Sequence, residues 1–111
     1  MSYKILTIPE FDKNIKQLNK KYKNIKLDIK NFILELQQNE KLGTHIVNNC
    51  YKVRIKNSSV PTGKSGGFRI ITYYVDESQN IYLLNIYSKS EQTTITNQKI
   101  NELLKEIKSI Y

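Results

Sequence analysis

The hydrophobic pattern of this chain changes period near Gly43, and that change limits the folds open to it. Before it, Phe11, Ile15, Leu18, Tyr22 and Ile25 recur at steps of four, three, four and three. This is the stripe of an amphipathic helix with lysines on its wet face. Ile29, Phe32, Ile33 and Leu36 repeat the pattern as a second helix, with Asp28 at its start and Gly43 beyond its end. After Gly43 the period falls to two. Tyr51 to Ile55 alternates, with Val53 and Ile55 on one face and Lys52, Arg54 and Lys56 on the other.

The remaining segments complete the order. Tyr3 to Ile8 predicts a short first strand ended by Pro9, and 57–67 a turn-rich connection holding Pro61, Gly63, Gly66 and Gly67. Phe68 to Val75 is the next strand and Asp76 to Asn80 a turn. Ile81 to Tyr87 is an almost unbroken apolar run, the mark of a strand buried on both faces. Thr96 is placed to cap a last helix whose buried side is Ile100, Leu103, Leu104 and Ile107. The expected order is β-α-α-β-β-β-α. It describes an α+β domain over residues 1–111, with an N-terminal αα-hairpin packed on a twisted, mostly antiparallel sheet and a C-terminal helix.

Charge is distributed unevenly. No acidic residue lies between Glu40 and Asp76, while Lys41, Lys52, Arg54, Lys56, Lys64 and Arg69 all do. Cations gathered on one β element suit a polyanion, and RNA is the first candidate. The net charge of +8 is by itself weaker testimony, since it comes mostly from lysine. Arg54 and Arg69 are the only arginines. One cysteine, Cys50, excludes an internal disulfide and leaves no thiol cluster for zinc; it reads as a small buried hydrophobe. The chain has no apolar run of membrane-spanning length and no secretory leader at its start, so a cytoplasmic protein is expected.

The comb Lys52, Arg54, Lys56 points out of one sheet face at about 7 Å spacing, close to that of successive phosphates, with Arg69 on the neighbouring strand. Mutual repulsion in such a comb lowers the proton affinity of its members, which would make Lys52 a usable proton acceptor. Against this stands the plain reading of a solvated edge strand, where alternating cations are common. GKSGG at 63–67 lacks the spacing and the following helix of a Walker A loop, but its amides and Lys64 suit a phosphate. Tyr73, Tyr74 and Tyr87 are the tyrosines able to stack on a base. Ser88 and Ser90 have no histidine or aspartate nearby in sequence to activate them, and His45 stands outside any metal-ligand spacing. No metal or other cofactor is expected.

Four segments in this order, QQNEKLG, YKVRI, GKSGGFRIITYYV and IYLLNIYSKSE before a last helix, resemble the RelE/ParE toxin superfamily over residues 30–107. Within it, the likeness is to HigB-like, RelE-type toxins of bacterial toxin–antitoxin pairs. The resemblance implies two N-terminal helices on a twisted antiparallel sheet and a ribosome-dependent, metal-independent endoribonuclease that cuts mRNA in the A site. Its chemistry is attack of a ribose 2′-hydroxyl on the adjacent phosphate, which needs a base, an acid and cations for the developing charge.

Carried over by position, the resemblance makes Lys52 the proton acceptor, Arg54 and Arg69 phosphate-stabilising cations, and Lys89 an acid or further clamp. Lys56, Lys64 and Tyr73 would contact nucleic acid. Two departures stand out. Thr94-Ile95-Thr96 lies where some members carry a base-orienting tyrosine, with Tyr87 as the substitute, and Ser90 lies where an arginine is usual. The expected partners are a cognate antitoxin, the ribosome and mRNA. The competing readings are a ParE-like gyrase inhibitor and a non-catalytic nucleic-acid-binding module.

Overall fold

The structure, a computed structural model, describes residues 3–61, 66–92 and 94–110. Its elements are β1 (Lys4–Thr7), α1 (Pro9–Asn19), α2 (Ile25–Gln38), β2 (Thr44–Val47), β3 (Cys50–Ile55), β4 (Phe68–Val75), β5 (Asn80–Ser88) and α3 (Asn97–Ile110). The five strands form one sheet in the order β1-β5-β4-β3-β2. β1 runs parallel to β5 and the other three pairings are antiparallel. The α+β class and the mostly antiparallel sheet are as the sequence predicts.

Two boundaries differ from expectation, each for a physical reason. The strand β2 falls in a stretch predicted to carry no element. Its four residues THIV are too few and too exposed to show alternation, and pairing to β3 stabilises them. The periodic run from Phe11 to Ile25 belongs to two helices, not one. α1 ends at Asn19, Tyr22 sits in the connection, and Ile25 opens α2, yet both side chains are buried at 4% and 0% exposure. A tight helix connection preserved the apolar spacing across the break. Asp28, expected at the start of α2, lies in its first turn, three residues after Ile25. Thr96 does cap α3, its Oγ1 accepting from Lys99 N at 3.1 Å.

The helices lie on both sides of the sheet. Phe32 of α2 shares a cleft with Val53 and Ile55, while Leu104 and Ile107 of α3 border another with Tyr73. Tyr73 pairs with Cys50, and positions 50 and 53 of one strand face opposite ways. Phe11, Phe32, Phe68, Ile70, Leu83 and Ile86 fill the interior at 0–2% exposure. Burial pushes the Cys50 thiol up to about 12, which makes it an inert core group. No described helix is long and apolar enough to cross a membrane.

Candidate functional site

One end of the sheet gathers most of the candidate residues. Arg54 on β3 pairs directly with Arg69 on β4, and Arg69 with Tyr87 on β5. Directly opposed residues project from the same sheet face, so these three side chains form a row across three strands. One step inward, Lys52, Ile71 and Asn85 make the parallel row. One step outward, Lys89 N donates to Gly67 O at 2.9 Å, and Lys56 follows the end of β3. The comb read from sequence is therefore real as a face: Val53 and Ile55 are buried, Lys52 is half-buried, and Arg54 and Lys56 are exposed.

Arg69 is the unusual member. It is only 5% exposed, although a guanidinium is among the costliest groups to take from water. Its Nη1 donates to Phe68 O at 3.3 Å. Burial, and then repulsion from Arg54, lower its proton affinity, while Tyr87 partly offsets both. At neutral pH it remains a cation. The neighbouring Tyr87 is 5% exposed, and its hydroxyl has no hydrogen-bond partner among the described residues. Burial raises the Tyr87 pKa; Arg69 and Thr94 pull it back, Thr94 without a well-formed hydrogen bond. An unpaired buried hydroxyl normally costs about 1–3 kcal/mol, so one beside the Arg69 guanidinium is a site ready for an acceptor.

The floor of the site depends on a glycine. A Cβ on Gly67 would stand 2.1 Å from Ile55 O and 3.0 Å from Asn57 N, so only glycine lets β4 begin so close to the end of β3. The segment after β3 is tied to α2. Asp28 Oδ2 accepts from Ser58 N at 3.0 Å, Asn24 N donates to Ser59 Oγ at 2.9 Å, and buried Asn57 accepts from Ser59 N at 3.0 Å. Sequence reasoning missed this support because its partners lie about 30 residues apart. The doubled glycine before Phe68-Arg69 was the visible clue to the close approach.

Not every candidate joins the row. Lys64 lies outside the described residues. Tyr73 shares the face but lies four residues along β4 from Arg69, roughly 13 Å away, where its ring stacks on Tyr82 with centroids 6.2 Å apart. Tyr74 belongs to the far end of the sheet. His45 lies on β2, its ring 5.4 Å from that of Tyr51 and Nε2 against Asn48 O. Ser88 is buried and accepts or donates toward Ser90 at 2.9 Å and Tyr22 at 3.4 Å, a hydroxyl chain with no base attached. Among the described residues no three His, Cys, Asp or Glu side chains converge as a metal site would require.

Comparisons with known proteins agree with this architecture. No protein-family model matches the sequence. Among solved structures, the isolated RelE toxin of Escherichia coli superposes with a TM-score of 0.56 at 15% identity, covering 96% of this chain and 99% of that one. A double mutant of the same toxin in the free state gives 0.61 at 15% identity with the same coverage. The toxin–antitoxin complex RelBE2 of Mycobacterium tuberculosis gives 0.56 at 14% identity, over 79% of this chain and 99% of that one. Strand order, helix placement and the superpositions together give one conclusion: this chain has the RelE fold.

Proposed function

We propose that this protein is the toxin of a type II toxin–antitoxin pair and cuts mRNA on the ribosome. The observation that carries the reading is the row Arg54–Arg69–Tyr87, in which a buried guanidinium and an unpartnered buried hydroxyl meet at the most basic end of the sheet. Fixed cations in a partly desolvated site act on developing charge far more strongly than cations in water. A phosphate seated there finds two guanidinium groups and a hydroxyl already in place, with little reorganisation needed.

The reaction follows from the groups present. Lys52 takes the proton of a ribose 2′-hydroxyl, and that oxygen attacks the adjacent phosphorus. Arg54 and Arg69 stabilise the additional negative charge of the phosphorane, and Tyr87 hydrogen-bonds one of its oxygens. The bond from phosphorus to the 5′-oxygen breaks, and Lys89, protonated, supplies the proton to that leaving oxygen. The products are a 2′,3′-cyclic phosphate and a free 5′-hydroxyl. Lys56 and Lys64 hold flanking phosphates. No step requires a metal ion.

Each such protein needs a neutralising partner in the same cell. An antitoxin carrying an acidic segment would cover the basic row and gain its rate of association from charge complementarity. The Escherichia coli neighbours include a RelBE toxin–antitoxin complex, which supports a partner of that kind.

Primer extension on a defined mRNA in a purified translation system tests the reading, with wild type and Arg69→Met side by side. Methionine keeps the buried stem and removes the guanidinium. Cuts within codons that need ribosomes and disappear with Arg69→Met are expected. Undiminished cutting by a folded Arg69→Met protein would remove Arg69 from the site, and an intact message with wild type would remove the endonuclease reading itself.

A further inference from the structure

β5 brings Tyr87 to the row on a stretch that is paired on one side only. β1 pairs Lys4 with Asn80 and Thr7 with Leu83, and its pairing stops there, while β4 follows β5 as far as Ser88. The next residue, Leu84, is a bulge: Thr72 pairs with Leu83 and Ile71 with Asn85, so Leu84 has no opposite number on β4. One extra residue reverses the alternation of every side chain beyond it. Tyr82 pairs with Tyr73, on the face of Arg69. Counted straight on from Tyr82, Tyr87 would fall on the other face; with the bulge, Tyr82, Asn85 and Tyr87 share one. Tyr87 stands beside Arg69 because of this insertion.

A bulge also bends its strand and increases the twist, so the path beyond it needs fixing. One side chain catches the first two residues past the bulge. Asn14 Oδ1 accepts from Ile86 N at 3.1 Å and from Asn85 Nδ2 at 3.0 Å. Its own Nδ2 donates to Glu10 Oε2 at 3.0 Å, one turn earlier on α1, and Glu10 Oε1 lies 3.9 Å from Lys99 Nζ of α3. The Glu10 carboxylate thereby sets which way the amide points: nitrogen toward Glu10, oxygen toward β5. Asn14 Oδ1 stands in for the carbonyl of a neighbouring strand where the pairing to β1 has ended. Its position is unusual for a polar residue, three after Phe11 and four before Leu18 on the buried stripe of α1, where burial requires a partner.

We propose that Asn14 is a positioning residue which, with the bulge at Leu84, aims Tyr87 at the phosphate held by Arg69. Asn85 Oδ1 and Tyr87 Oη, both on that face, are buried without partners among the described residues. Neither atom holds the strand in place, and the grip of Asn14 on Ile86 N supplies the hold. Asn14 touches no reacting atom and acts through Tyr87. The catalytic consequence rests on the endonuclease reading; the aim of Tyr87 rests on register and hydrogen bonds alone.

Cutting kinetics on a translated message test the first part. Asn14→Leu keeps the bulk of the side chain and removes the acceptor. It is expected to lower the maximal rate about tenfold with the half-saturating ribosome concentration unchanged, as a small misplacement of a working group does. In a Tyr87→Phe background the same substitution is expected to cost nothing further, since residues that act as a unit are not additive. Asn14→Asp combined with Glu10→Gln exchanges donor and acceptor between the two side chains, keeps an oxygen toward Ile86 N, and is expected to restore the rate. A tenfold loss that persists in Tyr87→Phe, or a paired variant as slow as Asn14→Leu, would overturn the proposal. Nuclear magnetic resonance of the free proteins tests the second part without any cutting. In Asn14→Leu the Tyr87 ring signals should shift and the Ile86 amide should exchange faster, with neither change in the paired variant or in Lys13→Ala. Unmoved Tyr87 ring signals in Asn14→Leu would overturn the proposal even if cutting fell. A message that wild type leaves whole counts against the endonuclease alone, and the ring signals then decide the role of Asn14.

Discussion

The two ends of the sheet are built from similar residues and treat their polar groups in opposite ways. At the far end, rings bridge the strands in a chain: Tyr3 lies edge-on to Tyr74 with centroids 6.5 Å apart, Tyr74 is 6.0 Å from Tyr51, and Tyr51 is 5.4 Å from His45. Polar partners are present there. Tyr3 Oη donates to Asp76 Oδ1 at 2.7 Å, and Lys41 Nζ stands 5.6 Å from the Tyr74 ring centre. At the basic end, Tyr87 is more deeply buried yet its hydroxyl has no partner among the described residues, and Arg69 faces another arginine across the strand. Polar groups that find partners, as Tyr3 does in Asp76, hold strands together, although the buried Thr72 Oγ1 opposite Tyr51 has none among the described residues. A row with buried groups left unsatisfied is stabilised from elsewhere and is poised for a ligand.

The contrast can be broken or sharpened by substitution. The largest effect expected is at Arg69: loss of its guanidinium in Arg69→Met should slow mRNA cutting by about 10²–10³-fold, the usual cost of one preorganised charge-stabilising group. Circular dichroism should show the fold unchanged, because the substitution also removes the desolvation of a charged group and its repulsion from Arg54. Next comes Tyr87→Phe. It should lower cutting by roughly 10²-fold while leaving thermal stability unchanged or raising it by up to about 1 kcal/mol, since the lost hydroxyl had no partner. A clear loss of stability in chemical denaturation would show that the hydroxyl is structural and end the contrast.

Gly67→Ala tests the floor of the site. Its Cβ would collide with backbone and not with a flexible side chain, so a cost of about 1–3 kcal/mol is expected in urea unfolding. Retained wild-type stability would mean that β3 and β4 separate easily at this end. The smallest effect belongs to Tyr3→Phe, which should leave mRNA cutting unchanged.

Tyr3 also carries a pH signature. Its hydrogen bond to Asp76, followed by desolvation, pushes its pKa up to about 12 from an ordinary 10.0. Folding stabilises the protonated phenol, so its contribution is complete below pH 10 and is lost as pH rises toward 12. Phenolate absorbance should show a tyrosine titrating near pH 12 that is absent in Tyr3→Phe. An unchanged titration curve would place the late tyrosine elsewhere.

Much of the fold was legible because its signals are local. Val53 and Ile55 alternate with Lys52 and Arg54, Ile81 to Tyr87 is continuously apolar, and Thr96 precedes an amphipathic run; each needs only its neighbours to be read. β2 was not legible, since a four-residue segment acquires strand geometry only from β3. The break between α1 and α2 was hidden because Tyr22 within it and Ile25 just after it both stay buried. Of the candidate site, the comb on β3 and Arg69 on β4 were visible as cations in an acid-free stretch.

The sequence by itself determined the period of each element, and with it the α+β class, the buried faces and the sign of the charge on β3. Tertiary structure decided which residues meet. Register placed Arg69 between Arg54 and Tyr87, so that residues 15 and 18 positions apart became one row. It also buried a guanidinium, left a hydroxyl without a partner among the described residues, and brought Asn14 of α1 against Ile86 of β5. The reason is physical: hydrophobic period is a property of one segment, whereas pairing, desolvation and polar satisfaction are properties of two segments brought together.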